Sequence, residues 1–362
     1  MISNMVSVKW TVILMLPIIL SVCIYKQKTL VDQCEVNYCP LCYGTDMCDE
    51  IYAGKVVLQY KTLSSAFNNI FSVKNVYFAE CGGEDCVLKK LVHQHEFLRI
   101  RSNGETVDKL VSYLMGDTLE VKKFKTCNRH TAETFLAQLN YSDIRHIDTL
   151  LQLNVEPLLL QLFNRSNGWP VPTFYGSCGR LAIMQYAGSD LNSIEHIPWL
   201  SRAYVAHQIL QAAVNFTWNH PLFRLYLTDI SPDNIVVDQN LKISFVDLEH
   251  SILSPKSEGN NLHISEHHID EDYVFSETKI CHSDISDHNI YSVCKLLLSQ
   301  SAPWPMMDNG LLHHPPEQVK QKYNTMFVNI EDCVYSNELK DRFLIANYIL
   351  GNLSSLLKNV IL

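Results

Sequence analysis

The chain has 362 residues, 47% of them hydrophobic and 10% aromatic, and its 38 acidic residues against 29 basic ones give a net charge of -9. That apolar content suffices for one large two-lobed domain with a sizeable core. No basic tract or basic aromatic stripe accompanies the acidic balance, which argues against nucleic acid as a partner.

Val12 to Tyr25 is an apolar run with Lys9 before it and Lys26 and Lys28 after it. It is shorter than the roughly 20 residues a spanning helix needs and has the length of a signal-peptide h-region, so residues 1–25 read as a signal peptide. A short uncleaved signal anchor is the alternative, and it is the only route to a membrane that the sequence offers. Residues 26–50 follow as a Cys-rich segment, CEVNYCPLCYGTDMC at its heart. The chain has 12 cysteines, and setting Cys23 aside leaves an odd number, so one at least is free or bonded between chains. Such usage points to disulfides in an oxidising compartment, with a zinc site through Cys39 and Cys42 as the competing reading. Sequons at Asn140, Asn164, Asn215 and Asn352 fit a secretory address, lumenal or extracellular.

Residues 51–187 read as a small, β-rich part with an insertion. Gly54 to Tyr60 and Val73 to Ala79 are strand-like, and a Cys-Gly-Gly-Glu-Asp-Cys turn leads into VLKKL. Cys81 and Cys86 flank that turn and are candidates to staple it. His93 to Lys125 is charged and poorly patterned, whereas His130 to Phe163 reads as helical. Within it Asn154 is placed to cap a helix that has Pro157 in its first turn. Two strands, GWPVPTFYG and RLAIMQYAG, complete this part.

Residues 188–362 read as mainly helical. Val205, Ile209, Ala212, Ala213 and Phe216 form a helix-spaced stripe between Trp199 and Asn219. Next come the runs IVV and ISFVD around the turn Asp238-Gln239-Asn240, a β-hairpin pattern. Asp229 and Asn234 precede its first run and Asp247 ends its second. Loop, hairpin and return would bring three oxygen-bearing side chains to one edge, with Pro232 stiffening the turn. Phosphoryl transfer uses such a set. One carboxylate, Asp229, orients the attacking hydroxyl and takes its proton, while Asn234 and Asp247 hold Mg²⁺ or Mn²⁺ on the phosphates of ATP. Ser254 to Ser286 is polar, aperiodic and His-rich. A solvated loop is the favoured reading of His263, His267 and His268, against a metal site. From Asp287 the chain returns to helix.

TDISPDNIVV resembles the catalytic loop of protein kinases, and FVDLE stands where they carry a metal-binding Asp-Phe-Gly. With GWPVPTFYGSCGRLAIMQYAG, DHNIYSVCKLLLS and GLLHHPPEQV, the text from about Cys34 onward is similar to the divergent protein kinase domain 2 family, the deleted-in-autism group of secretory-pathway kinase-like proteins. The resemblance implies an α+β, divergent protein-kinase-like bilobal fold with a small β-rich N-lobe and a mainly helical C-lobe. It implies that Lys89 contacts the α and β phosphates and that Glu156 fixes Lys89. Lys90 replaces Lys89 if the strand register slips, and Glu96 competes with Glu156. It also makes Gln185 to Gly188 the hinge, Ser254 to Ser286 the activation segment and Asp287 a brace of the catalytic loop, a plain N-cap being the other reading of Asp287.

The chain departs from an ordinary kinase at defined places. No G-x-G-x-x-G precedes Lys89, Leu227-Thr228 replaces His-Arg, Ser231 stands at a phosphate-contacting lysine, Leu248-Glu249 replaces Phe-Gly, and no Ala-Pro-Glu closes the activation segment. The first expectation is a secretory-pathway phosphotransferase acting on a hydroxyl of a secreted or lumenal protein or glycan. The second is an inactive pseudokinase that binds a receptor or trafficking partner. A third is nucleotidylation of protein hydroxyls.

Overall fold

The computed structural model describes residues 30–59, 75–100, 106–116, 124–141, 143–256, 264–265, 275–304, 307–335 and 341–361. The run Val12 to Tyr25, Cys23, and the histidines His263, His267 and His268 lie outside the described residues. The chain forms two compact units, one from residues up to 105 with 140–161 and 173–186, the other from 106–139, 162–172 and 187–362.

Strands are numbered in chain order: β1 Val56–Leu58, β2 Val76–Cys81, β3 Glu84–Lys89, β4 Phe124–Thr126, β5 Phe174–Cys178, β6 Leu181–Gln185, β7 Ser189–Asp190, β8 Phe223–Leu227, β9 Ile235–Val237, β10 Ile243–Phe245, β11 Ser251–Pro255, β12 Ile264–Ser265 and β13 Ile285–Ser286. The first unit is built on a sheet of order β1-β2-β3-β6-β5, antiparallel throughout. Alternation puts Tyr77 and Ala79 of β2, and Cys86 and Leu88 of β3, into one core with Ile183 of β6. The Cys81–Cys86 disulfide closes the β2–β3 turn. The helix Glu156–Leu162 starts where the Asn154 side chain accepts the Glu156 N–H at 2.8 Å, the cap expected from sequence.

The Cys-rich segment is an integral part of this unit. Cys34, Cys48 and Ile51 belong to the same core as the sheet. Cys48 is bonded to Cys178 on β5, and Cys39 to Cys42, so the cysteine pair weighed as a zinc site is a disulfide here. Among the described residues Cys34 is the free cysteine, and burial pushes its thiol up to about 12.

The second unit is arranged along the helix Trp199–Trp218, whose predicted stripe from Val205 to Phe216 is buried. The β9–β10 hairpin forms in the expected register, Phe245 opposite Ile235, and β7 adds to its edge. Position 188 requires glycine twice over: its φ is +124°, and a Cβ there would overlap the Val237 carbonyl. Helices His288–Val293, Asn324–Tyr335 and Arg342–Ile361 follow toward the C-terminus. A sheet in one unit and helices dominating the other give the α+β class.

The contiguous boundary 51–187 requires correction. Residues 106–139 belong to the second unit, because β4 pairs parallel with β11 and Cys127 is bonded to Cys281. The stretch that looks patternless from His93 to Lys125 holds two helices, Gln94–Phe97 and Val107–Met115, together with β4. The presumed activation segment is also not wholly loop. It begins in β11, which is sandwiched between β4 and β8, and ends in the helix Glu277–His282 and β13.

Candidate active site

The structure brings the predicted site residues together in two groups, each within one unit. In the first unit Lys89 is the last residue of β3, opposite Val76 on β2 and Ala182 on β6. Its Nζ donates to Glu156 Oε2 at 3.1 Å. Glu156 is fully buried and lies in the first turn of its helix, where the backbone dipole favours a carboxylate. The two competitors are used elsewhere. Lys90 pairs with Glu35 at 2.6 Å, and the Glu96 carboxylate caps its own helix by accepting the His93 N–H at 2.8 Å.

In the second unit Asp229 and Asn234 are joined through the loop that Pro232 stiffens. The Asn234 amide donates to Asp229 Oδ2 at 3.1 Å and to the Asp229 carbonyl at 3.0 Å. Two backbone hydrogen bonds lay the Asp247 turn alongside this loop: Val246 N–H to Asn234 O at 2.9 Å, and Thr228 N–H to His250 O at 3.0 Å. Asp247 itself has φ +56°, a left-handed conformation that Asp tolerates better than most residues. Its neighbour Leu248 is buried while Asp229 and Asp247 are exposed. The hydrophobic side chain that replaces phenylalanine thus anchors the turn, leaving the carboxylates at the surface.

The strand that delivers this loop is braced by residues the sequence reading passes over. Asn289 Oδ1 accepts the Leu227 N–H at 3.0 Å, and its amide donates to the Leu225 carbonyl at 2.8 Å and to Thr217 Oγ1 at 3.0 Å. His288 Nε2 donates to the Leu227 carbonyl at 2.9 Å. Asp287, expected as the brace, is buried in an ion pair with Arg342, whose Nε donates to the Cys333 carbonyl at 2.6 Å. The only signal in the sequence is the polar triplet Asp287-His288-Asn289 opening an apolar helix.

Oxygen donors of two carboxylates and an amide suit a hard divalent cation. Asn234 spends its amino group on Asp229, so Oδ1 is the atom it has for a metal. Two carboxylates and one amide oxygen fit a cation of the Mg²⁺ kind, which takes one or two carboxylates and completes its shell with phosphate oxygens and water.

Residues 148–335 match the family described as the protein-kinase domain of FAM69, a span that includes Glu156, Asp229, Asn234 and Asp247. The chain is 30% identical over 383 residues to divergent protein kinase domain 2A of Mus musculus, covering 90% of this chain and 88% of that one. The Homo sapiens protein of the same name is 30% identical over 382 residues at the same coverage. Divergent protein kinase domain 2B of Bos taurus is 26% identical over 170 residues, 44% of this chain and 39% of that one.

Proposed function

The chain belongs to the FAM69-type divergent protein kinase domain family, and from that premise we propose that it is a secretory-pathway phosphotransferase moving the γ-phosphate of ATP to a hydroxyl of a secreted or lumenal protein or glycan. The observation that carries the reading is the Lys89–Glu156 pair at 3.1 Å, a lysine at a strand end fixed by a fully buried carboxylate. A lysine so held presents a positive charge in one position, which is what the α and β phosphates require.

Asp229 accepts the proton of the acceptor hydroxyl as its oxygen bonds to the γ-phosphorus and ADP departs. Asn234 holds the Asp229 carboxylate through its amide and, with Asp247, would hold the cation. Mg²⁺ or Mn²⁺, when bound, neutralises charge on the phosphates. Five disulfides in the described residues support a lumenal or extracellular address, as do the sequons and the apolar leader run. Thermal shift of the purified protein with ATP and Mg²⁺ or Mn²⁺ tests the reading. Wild type should be stabilised only when metal and nucleotide are both present, and Asp247→Ala should show no shift. A wild type indifferent to both would end it.

A second reading, a pseudokinase that presents a binding surface to a receptor or trafficking partner, is favoured by the exchange of His-Arg for Leu227-Thr228 and by the lack of a glycine-rich phosphate loop. Replacing Asp229, Asn234 and Asp247 together separates the two. Full cellular activity of the folded triple variant would support binding alone, and loss of activity would support catalysis.

A further inference from the structure

We propose that the Cys-rich segment is a working part of the nucleotide site, with Glu35 as the positioning residue that sets Lys89. The inference rests on the reading of Lys89 as a phosphate ligand.

Lys89 is the terminal residue of β3, so both ladders that hold the strand end at it. Beyond it the chain is tied to Asn75, the residue before β2, by the Lys90 N–H to Asn75 O bond at 2.9 Å. Strand ends fray, and a slip of one residue would exchange the faces of Lys89 and Lys90. The structure pins both faces. Lys89 meets Glu156 on one, and on the other Lys90 Nζ meets Glu35 Oε1 at 2.6 Å. Glu35 Oε2 accepts from Arg180 Nη1, also at 2.6 Å, and the Arg180 side chain is only 1% exposed. Arg180 lies over the Phe97 ring and donates to the Gln94 side chain and the Val92 carbonyl, so it ties Glu35 to the chain that follows Lys90.

The backbone places Glu35 for this task. It has φ +50°, a conformation unfavourable for glutamate that persists only where its surroundings impose it. Those surroundings are the turn between β5 and β6. Arg180 N–H donates to Cys34 O at 2.7 Å, and Gly179, at φ +59°, has no room for a Cβ because the Cys34 carbonyl occupies that space. The Cys48–Cys178 disulfide bonds the segment to the same hairpin. Despite the cost of burial, the Lys90 ammonium and the Arg180 guanidinium hold the Glu35 carboxyl below its usual pKa, so it is anionic when folded.

The test compares Glu35→Gln, Lys90→Gln and Lys90→Arg with wild type by titration calorimetry with Mg-ATP and by the rate at which an acetyl N-hydroxysuccinimide ester modifies the Lys89 amine, read by mass spectrometry. Glu35→Gln and Lys90→Gln should each weaken nucleotide binding by roughly tenfold, and the double variant should lose no more than either alone. Lys90→Arg should retain wild-type affinity, a rescue that a purely structural role for the segment does not require. In the two glutamine variants Lys89 should acetylate several-fold faster. Unchanged acetylation in folded Glu35→Gln would overturn the inference whether or not nucleotide binds, whereas a wild type that binds no nucleotide while Lys89 still responds to Glu35→Gln would overturn only the nucleotide reading.

Discussion

His220 is a buried imidazole whose Nδ1 accepts the backbone N–H groups of Leu222 at 3.2 Å and Phe223 at 3.1 Å. Protonating Nδ1 would set a third N–H against those two donors. Burial among Phe163, Trp169 and Phe223, with the Lys256 ammonium adding to it, lowers the pKa to about 4. The folded value lies below the unfolded one of about 6.5. The stability it contributes is therefore complete above pH ~6.5 and is lost as pH falls toward 4, where the unfolded chain binds a proton that the native one refuses. The full effect is about 3 kcal/mol. Urea unfolding across that range should show a steeper pH dependence for wild type than for His220→Gln, and parallel curves would refute the assignment. Charge at the residue scale also separates Lys89 from Lys90. The two are adjacent in sequence and chemically identical, and carboxylates 67 and 55 residues away tell them apart.

At the scale of elements, the helix Trp199–Trp218 and the strand β8 behave as one device through Asn289. Its side chain joins Thr217 near the end of the helix to the Leu225 and Leu227 backbone, and all these groups are buried. Asn289→Leu should cost about 1–3 kcal/mol, because it strands the buried Leu227 N–H without a partner. It should also raise amide exchange at Leu227, the residue two before Asp229. Exchange that matches wild type would show that the strand holds its place without the brace. Thr217 also completes the sequon at Asn215, and its hydroxyl donates to the Ala213 carbonyl at 2.9 Å. That threonine has a packing role independent of any glycan. The helix was legible because its apolar stripe repeats every three to four residues, and the hairpin because its runs alternate around a polar turn. Strand β4 was not legible: three residues, Phe-Lys-Thr, carry no periodic signal, and their pairing with β11 is decided by a partner far along the chain.

Across the whole molecule, disulfides join elements that are distant in sequence but lie within the same unit. Cys48–Cys178 spans 130 residues, Cys127–Cys281 spans 154, and both hold segments with little regular structure of their own. Replacing Cys48 and Cys178 together with alanine should lower stability by about 3–5 kcal/mol, since long closed loops restrict the unfolded chain most. Urea midpoints with and without dithiothreitol check this: the variant should lose less than wild type on reduction, and an equal loss would contradict it. The first unit should lose more than the second in that variant, and exchange protection resolved by residue would read this out.

The α+β class came with the family resemblance, while local rules were enough to obtain the β2–β3 and β9–β10 hairpins, the cap at Asn154, and a loop rich in oxygen-bearing side chains from Asp229 to Asp247. Each of these depends on side-chain period, turn residues or spacing within a few tens of positions, and such information is carried by neighbours in the chain. Only the tertiary structure decided which lysine meets Glu156, how the cysteines of the N-terminal segment pair, that Asn289 and His288 hold the Leu227 backbone, and that residues 106–139 join the second unit. Those outcomes depend on contacts between residues remote in sequence. There, competing partners of the same chemical type differ only in which one packing brings within reach.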